Sequence, residues 1–269
     1  MDFLNSIILL TNFIIVPGIT YGSQLALGAI GVTLIYGVLR FANFAYGDLM
    51  AFGTMVVILM TWYLQSKGIS FGLLPTALLA LPIGILLTIA VSLFFDKTVF
   101  EYYRNKKSNP VTFIVVSLGI MFVLNAVVRI IIGPNDINFM DGHKFIMKAR
   151  EFKQLTGLNE GLAIKSTQVI TLVTTIITCS ILFYFLNKTK TGKSMRAYSN
   201  NEDLALLSGI DPKKIVLITW VIVSILATVA GTLYGLDKSF KPFTYFNNLL
   251  PIFAATIVGG IGNPLGAFY

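Results

Sequence analysis

Thr189–Lys214 reads TKTGKSMRAYSNNEDLALLSGIDPKK, a charged stretch of 26 residues set between two long apolar runs. Its residues carry their own helix punctuation. Asn200 with Asp203 three positions on forms a capping-box pattern. Glu202 and Asp203 fall where a helix dipole favours anions. Gly209 stands where a helix would end in a left-handed turn, and Asp211–Pro212 caps and opens the next helix. The enclosed helix is about two turns long. Isolated helices shorter than roughly 12–15 residues are marginal in water, so this one needs the rest of the protein or a partner to hold it.

Around this stretch the chain is 55% hydrophobic and only 12% charged, with a mean hydropathy of +0.80. Soluble domains carry about 25% charged residues. The composition is that of an all-α integral membrane protein, because every backbone group in hydrocarbon must be paired internally. Seven apolar spans are predicted: Gly18–Leu39, Leu49–Gln65, Phe71–Phe95, Val111–Ile132, Thr167–Leu186, Ile215–Leu236 and Leu249–Tyr269. Residues 3–16 are apolar but short, an interfacial segment or a helical turn packed on the bundle. The expectation is one transmembrane domain, 1–269, with about seven or eight transmembrane helices. Small residues at Gly18/Gly22 and Gly231/Gly235 have the spacing that lets helices approach closely. The sequence ends inside apolar residues, so the last span is short or re-entrant, or the chain continues.

The net charge of +8 fits Lys and Arg flanking membrane spans on the cytoplasmic side better than nucleic-acid binding. Residues 96–110 and 187–214 are both basic and two spans apart, which puts them on one side, the cytoplasm. Cys179, the single cysteine, reads as a small buried hydrophobe, and His143, the single histidine, lies in a polar loop. No His pair, Cys–His pair or clustered carboxylates lie in the spans, which excludes a membrane enzyme and disfavours a proton- or sodium-driven carrier. Thr191–Ser194 (TGKS) imitates the end of a phosphate-binding loop, but Asn187 stands where that motif needs glycine. It is expected to be a flexible entry to the short helix.

Two further segments invite attention. Arg40–Asp48 (RFANFAYGD) joins the first two spans. It is either a tight cytoplasmic turn, the preferred reading, or a break near membrane depth that sets Asn43, Tyr46 and Asp48 against a cavity. Gly259–Gly266 (GGIGNPLG) cannot make a regular helix. It is a plain turn, or a hinge with Gly260, Gly262 and Asn263 on a transport path. Arg129, inside the fourth span, is expected to reach toward the outer interface.

Three blocks together resemble the permease subunits of ABC importers of the branched-chain amino acid type: Leu25–Asp48 (LALGAIGVTLIYGVLRFANFAYGD), Thr191–Asp211 (TGKSMRAYSNNEDLALLSGID) and Val258–Ala267 (VGGIGNPLGA). The family pattern near the first block is N-F-A-H-G-E/D, with Tyr46 here in place of histidine. In the second block Gly192, Arg196, Ala197, Leu206, Gly209 and Ile210 match, while Lys193 and Ser194 replace R-A and Ser208 stands before Gly209. The resemblance implies that Thr191–Asp211 is a coupling segment docking on a cytoplasmic ATPase through Arg196, Asn200, Asp203, Leu204, Leu207 and Gly209. It also implies a second homologous permease subunit and a periplasmic solute-binding protein. This chain would then sit in the bacterial inner membrane, in contact with lipid, and bind no cofactor itself, with ATP held by the partner ATPase. Relatives carry branched-chain amino acids, other amides or urea, and some sugars. A self-contained channel or carrier is the competing reading.

Overall fold

The computed structural model describes residues 2–139, 142–156, 160–260, 262 and 266. It is a helical bundle. Helix α1 (Asp2–Leu10) runs through a π-helical turn (Thr11–Ile15) into α2 (Val16–Leu39), so the short N-terminal apolar stretch extends the first span instead of lying apart. Then follow α3 (Tyr46–Ser66), α4 (Ala77–Phe95), a π-helical turn (Asp96–Phe100), α5 (Glu101–Asn105) and α6 (Pro110–Ile132). A loop carries two short paired strands, β1 (Phe145–Met147) and β2 (Ile164–Lys165), and α7 (Ala149–Thr156) between them. The chain continues with α8 (Ser166–Lys188), α9 (Lys190–Asn200), α10 (Glu202–Leu207), α11 (Pro212–Lys238) and α12 (Pro242–Val258).

Six helical segments among the described residues are long and apolar enough to cross a membrane. The last expected span is displaced. Helix α12 starts at Pro242, not Leu249, and ends at Val258 after 17 residues. The third span begins later than expected, at Ala77, because the residues from Phe71 to Thr76 form a turn. Pro110 is the first residue of α6, and the Asn109 side chain before it makes no capping hydrogen bond.

Helices α3 and α11 are the most enclosed of the six. They pack on each other and on α4, and α11 packs on α2 as well. Hydroxyls rather than charges supply the polar contacts there. Ser92 and Ser224 share a hydrogen bond of 2.6 Å, and Thr54, Thr61 and Thr228 each donate to the carbonyl four residues back. At Gly231 an added Cβ would lie 2.7 Å from the Met50 carbonyl oxygen, so glycine sets the approach of α11 to α3. The Gly18/Gly22 pair meets nothing within 4 Å, which corrects the expectation of close packing there. Exposed apolar side chains such as Leu86, Ile130, Ile181 and Tyr184 give the outer surface of the bundle a lipid-compatible face. Cys179 is buried and unpaired.

The two basic loops lie at the same end of the bundle. Lys213 Nζ is 3.9 Å from Glu101, and Arg104, Lys107, Tyr198 and Glu202 line one cavity with Arg40 and Phe41. At the opposite end Ile137 and Phe240 pair through their backbones, and the amide of His143 donates to the Leu73 carbonyl.

Candidate functional site

Two helices in series, α9 and α10, form a platform at the basic end. Helix α9 is capped by Thr189, which has extended backbone and whose hydroxyl accepts the Gly192 amide at 3.0 Å. The residues Thr191–Ser194 are helical, not a flexible entry, because Gly192 presses α9 onto α8: a Cβ there would lie 2.2 Å from the Phe185 carbonyl. Met195 and Tyr198 fall on the same buried stripe. The Tyr198 hydroxyl donates to Glu202 at 2.6 Å. Burial, and after it the hydrogen bond to Glu202, push the Tyr198 hydroxyl well above the ordinary tyrosine range. Arg40, left-handed at the end of α2 (φ 61), donates from its guanidinium to the Ser199 carbonyl and ties α2 to the platform.

The cap of α10 is Asn201, not Asn200. Asn201 is extended (φ −150°, ψ 108°) and its side chain accepts the Leu204 amide at 3.0 Å, whereas Asn200 is the last residue of α9. Asp203 lies in the first turn. At the other end Gly209 (φ 78) donates to the Leu206 carbonyl and Ile210 to that of Ala205, the paired bonds of a Schellman turn. Asp211 then accepts the Lys213 amide, with Pro212 as the first residue of α11. Only Ala205 of α10 is buried, while Leu204 and Leu207 are 61% and 85% exposed. Arg196 is exposed on α9.

The second group of candidate residues lies deeper. Between Arg40 and Tyr46 the chain turns back into the bundle, and Asn43, Tyr46 and Asp48 are all buried. Asn43 accepts the Ala45 amide at 3.0 Å and so shapes the entry to α3. Asp48 lies in the first turn of α3 and accepts a hydrogen bond of 2.7 Å from Asn125 on α6. At 1.5 Å per residue, Asn125 is roughly 22 Å along α6 from Pro110. Asp48 therefore sits well inside the bundle, which corrects the preferred simple turn. It lines a cavity of about 450 Å³ together with Asn125, Arg129 and the side chains of Met121, Phe122, Phe243 and Phe246. Arg129 is exposed in the last turn of α6, its guanidinium 5.8 Å over the Phe243 ring.

The glycine-rich candidates are elsewhere. Gly260 and Gly262 have positive φ, which ends α12. Gly262 borders a small cavity with Gly37, Ser199 and Arg196, on the platform side, a different cavity from the one that Asp48 lines. Asn263 lies outside the described residues. Asn125 was not legible as a site residue in the sequence: a lone amide in an apolar helix gives no signal until its partner, 77 positions earlier, is in place. Among the described residues no group of three His, Cys, Asp or Glu could hold a metal ion.

The chain matches the family described as branched-chain amino acid transport system / permease component over residues 14–269. It is 27% identical to the high-affinity branched-chain amino acid transport system permease protein LivH of Escherichia coli K12, over 93% of this chain and 79% of that protein. The corresponding protein BraD of Pseudomonas aeruginosa is 27% identical over 94% of this chain and 80% of its own length. The probable LivH permease of Methanocaldococcus jannaschii is 29% identical over 95% and 76%. No solved structure matches the chain. With a multi-pass helical bundle and a family match over nearly its whole length, the chain belongs to the branched-chain amino acid transport permease family.

Proposed function

We propose that this chain forms one half of the membrane path of an ATP-driven importer, with branched-chain amino acids as its cargo. The observation that carries the reading is the α9–α10 platform. It is held firmly to the bundle by Gly192, Met195, Tyr198 and Ala205, yet presents Leu204 and Leu207 outward. Exposed leucines on a rigidly based short helix suit a groove in a separate protein. On this reading the partner is a cytoplasmic ATP-binding subunit, and ATP is bound and hydrolysed there. Loops 96–110 and 187–214 face the cytoplasm, a second homologous permease completes the path, and a periplasmic solute-binding protein delivers the solute. The two nucleotide states of the ATPase grip the platform differently, and that difference in contact energy shifts the bundle between outward- and inward-facing states.

Vesicles holding this chain alone are expected to show no solute flux. Adding the second permease, the ATPase and the binding protein is expected to give ATP-dependent uptake of leucine, isoleucine or valine. Flux through the chain alone would make it a self-contained carrier instead. Labelling of Lys193 or Lys213 from outside intact cells would remove the platform from its motor.

A further inference from the structure

We propose that the cavity between α3, α6 and α12 binds the zwitterionic end of an apolar α-amino acid, Asp48 and Asn125 taking the ammonium group and Arg129 the carboxylate. The choice of solute rests on the importer reading; the choice of residues rests on the geometry.

Asp48 is 1% exposed. One carboxylate oxygen accepts from Asn125 at 2.7 Å, and the other, Oδ2, has no hydrogen-bond partner among the described residues. A buried carboxylate oxygen without a donor is costly, and the more so inside a membrane bundle. An ammonium group brings three donors and the opposite charge. Asn125 adds to this. A carboxylate can only accept, so the amide must turn its NH₂ to Asp48, which leaves its carbonyl oxygen as a further acceptor for the same ammonium.

Arg129 follows Asn125 by four residues and so shares its face of α6. The ion pairs among the described residues are Arg104–Asp96, Lys213–Glu101 and Lys241–Asp136, and none uses Arg129. Its planar fork suits a carboxylate, and the Phe243 ring beneath it limits where the guanidinium can lie. The cavity thus holds one acid and one base. It rewards a solute carrying both charges over one carrying a single charge, and an uncharged amide could hydrogen-bond to both groups but would bring neither opposite charge. Met121, Phe122, Phe243 and Phe246 supply apolar wall, and about 450 Å³ is the size of a small-molecule site. A thioether beside aromatic rings adapts to differently branched side chains.

Saturation-transfer NMR on the full chain in nanodiscs, with empty nanodiscs as blank, tests the assignment end by end. Leucinamide lacks the carboxylate, and N-acetyl-leucine lacks the ammonium. L-Leucine is expected to bind roughly tenfold or more tightly than either, the scale of a charged hydrogen bond. In Arg129→Gln, leucine should fall to the level of leucinamide, whose own binding stays put, while Arg129→Lys keeps most of the preference. In Asp48→Asn, leucine should fall to the level of N-acetyl-leucine. Arg129 is exposed, so its arm stands even if the Asp48 variant does not fold. Equal binding of the three ligands, or an Arg129→Gln loss shared by all three, overturns the assignment. Such a failure leaves the importer reading intact, since that reading stands or falls on ATP-dependent uptake.

Discussion

A methyl group placed on Gly31 would lie 2.2 Å from the hydroxyl oxygen of Tyr46 and 2.7 Å from its Cζ. Helix α2 and the start of α3 are thus fitted to each other at one ring edge. Tyr46 is fully buried, and its hydroxyl has no hydrogen-bond partner among the described residues. Gly31→Ala is predicted to destabilise the protein by about 1–3 kcal/mol, because the rigid ring cannot move aside freely. Tyr46→Phe removes a buried hydroxyl that bonds to nothing, so stability is predicted to hold or rise by about 1 kcal/mol. The double variant should recover part of the Gly31→Ala loss, since the oxygen is the nearer obstacle. Thermal unfolding in detergent measures all three. Strict additivity would show that the two residues do not meet.

Asn201 rather than Asn200 begins α10. Asn201→Ala should cost about 0.5–2 kcal/mol of local helix stability by leaving the Leu204 amide unbonded. Asn200→Ala, at the exposed end of α9, should change little. Hydrogen exchange at residues 202–207 reads the difference, and a larger effect from Asn200 would return the cap to that residue.

That one-residue error shows where sequence reading stops. Both residues are asparagine, and either side chain can cap; the choice falls to the one whose backbone is extended, which residue type does not reveal. Gly209 and Asp211–Pro212 were legible because glycine and proline restrict the backbone directly. Thr191–Ser194 was misread as flexible because its helicity comes from Gly192 fitting against α8, a tertiary contact. The spans were legible from apolar length alone. The depth of Asp48 was not, since a short polar connection reads the same whether it stays at the surface or turns inward.

Gly231→Leu should separate α11 from α3. The added side chain would meet the Met50 carbonyl oxygen at 2.7 Å and the Thr54 hydroxyl at 2.6 Å from its first carbon onward. A loss of about 1–3 kcal/mol or failure to assemble is predicted. Gly22→Leu has the same small-residue spacing with Gly18, yet nothing lies within 4 Å of it, and it should be tolerated. Comparing the two in one thermal assay separates packing from spacing. Equal sensitivity would mean that Gly22 meets a neighbour outside this chain.

Leu204→Asp together with Leu207→Asp tests the platform as a transmission element. Both side chains are exposed, so the isolated chain should keep its thermal stability within about 0.5 kcal/mol. If they seat in an ATPase groove, burying a carboxylate there is unfavourable, and the assembled importer should lose most of its solute-stimulated ATP hydrolysis. Ala205→Asp acts differently. Ala205 is buried against the bundle, so that change should unfold α10 and lower the chain's own stability. The contrast separates a docking loss from a folding loss. Full stimulation in the doubly substituted leucine variant, with the complex intact, would show that the motor grips some other part of the chain.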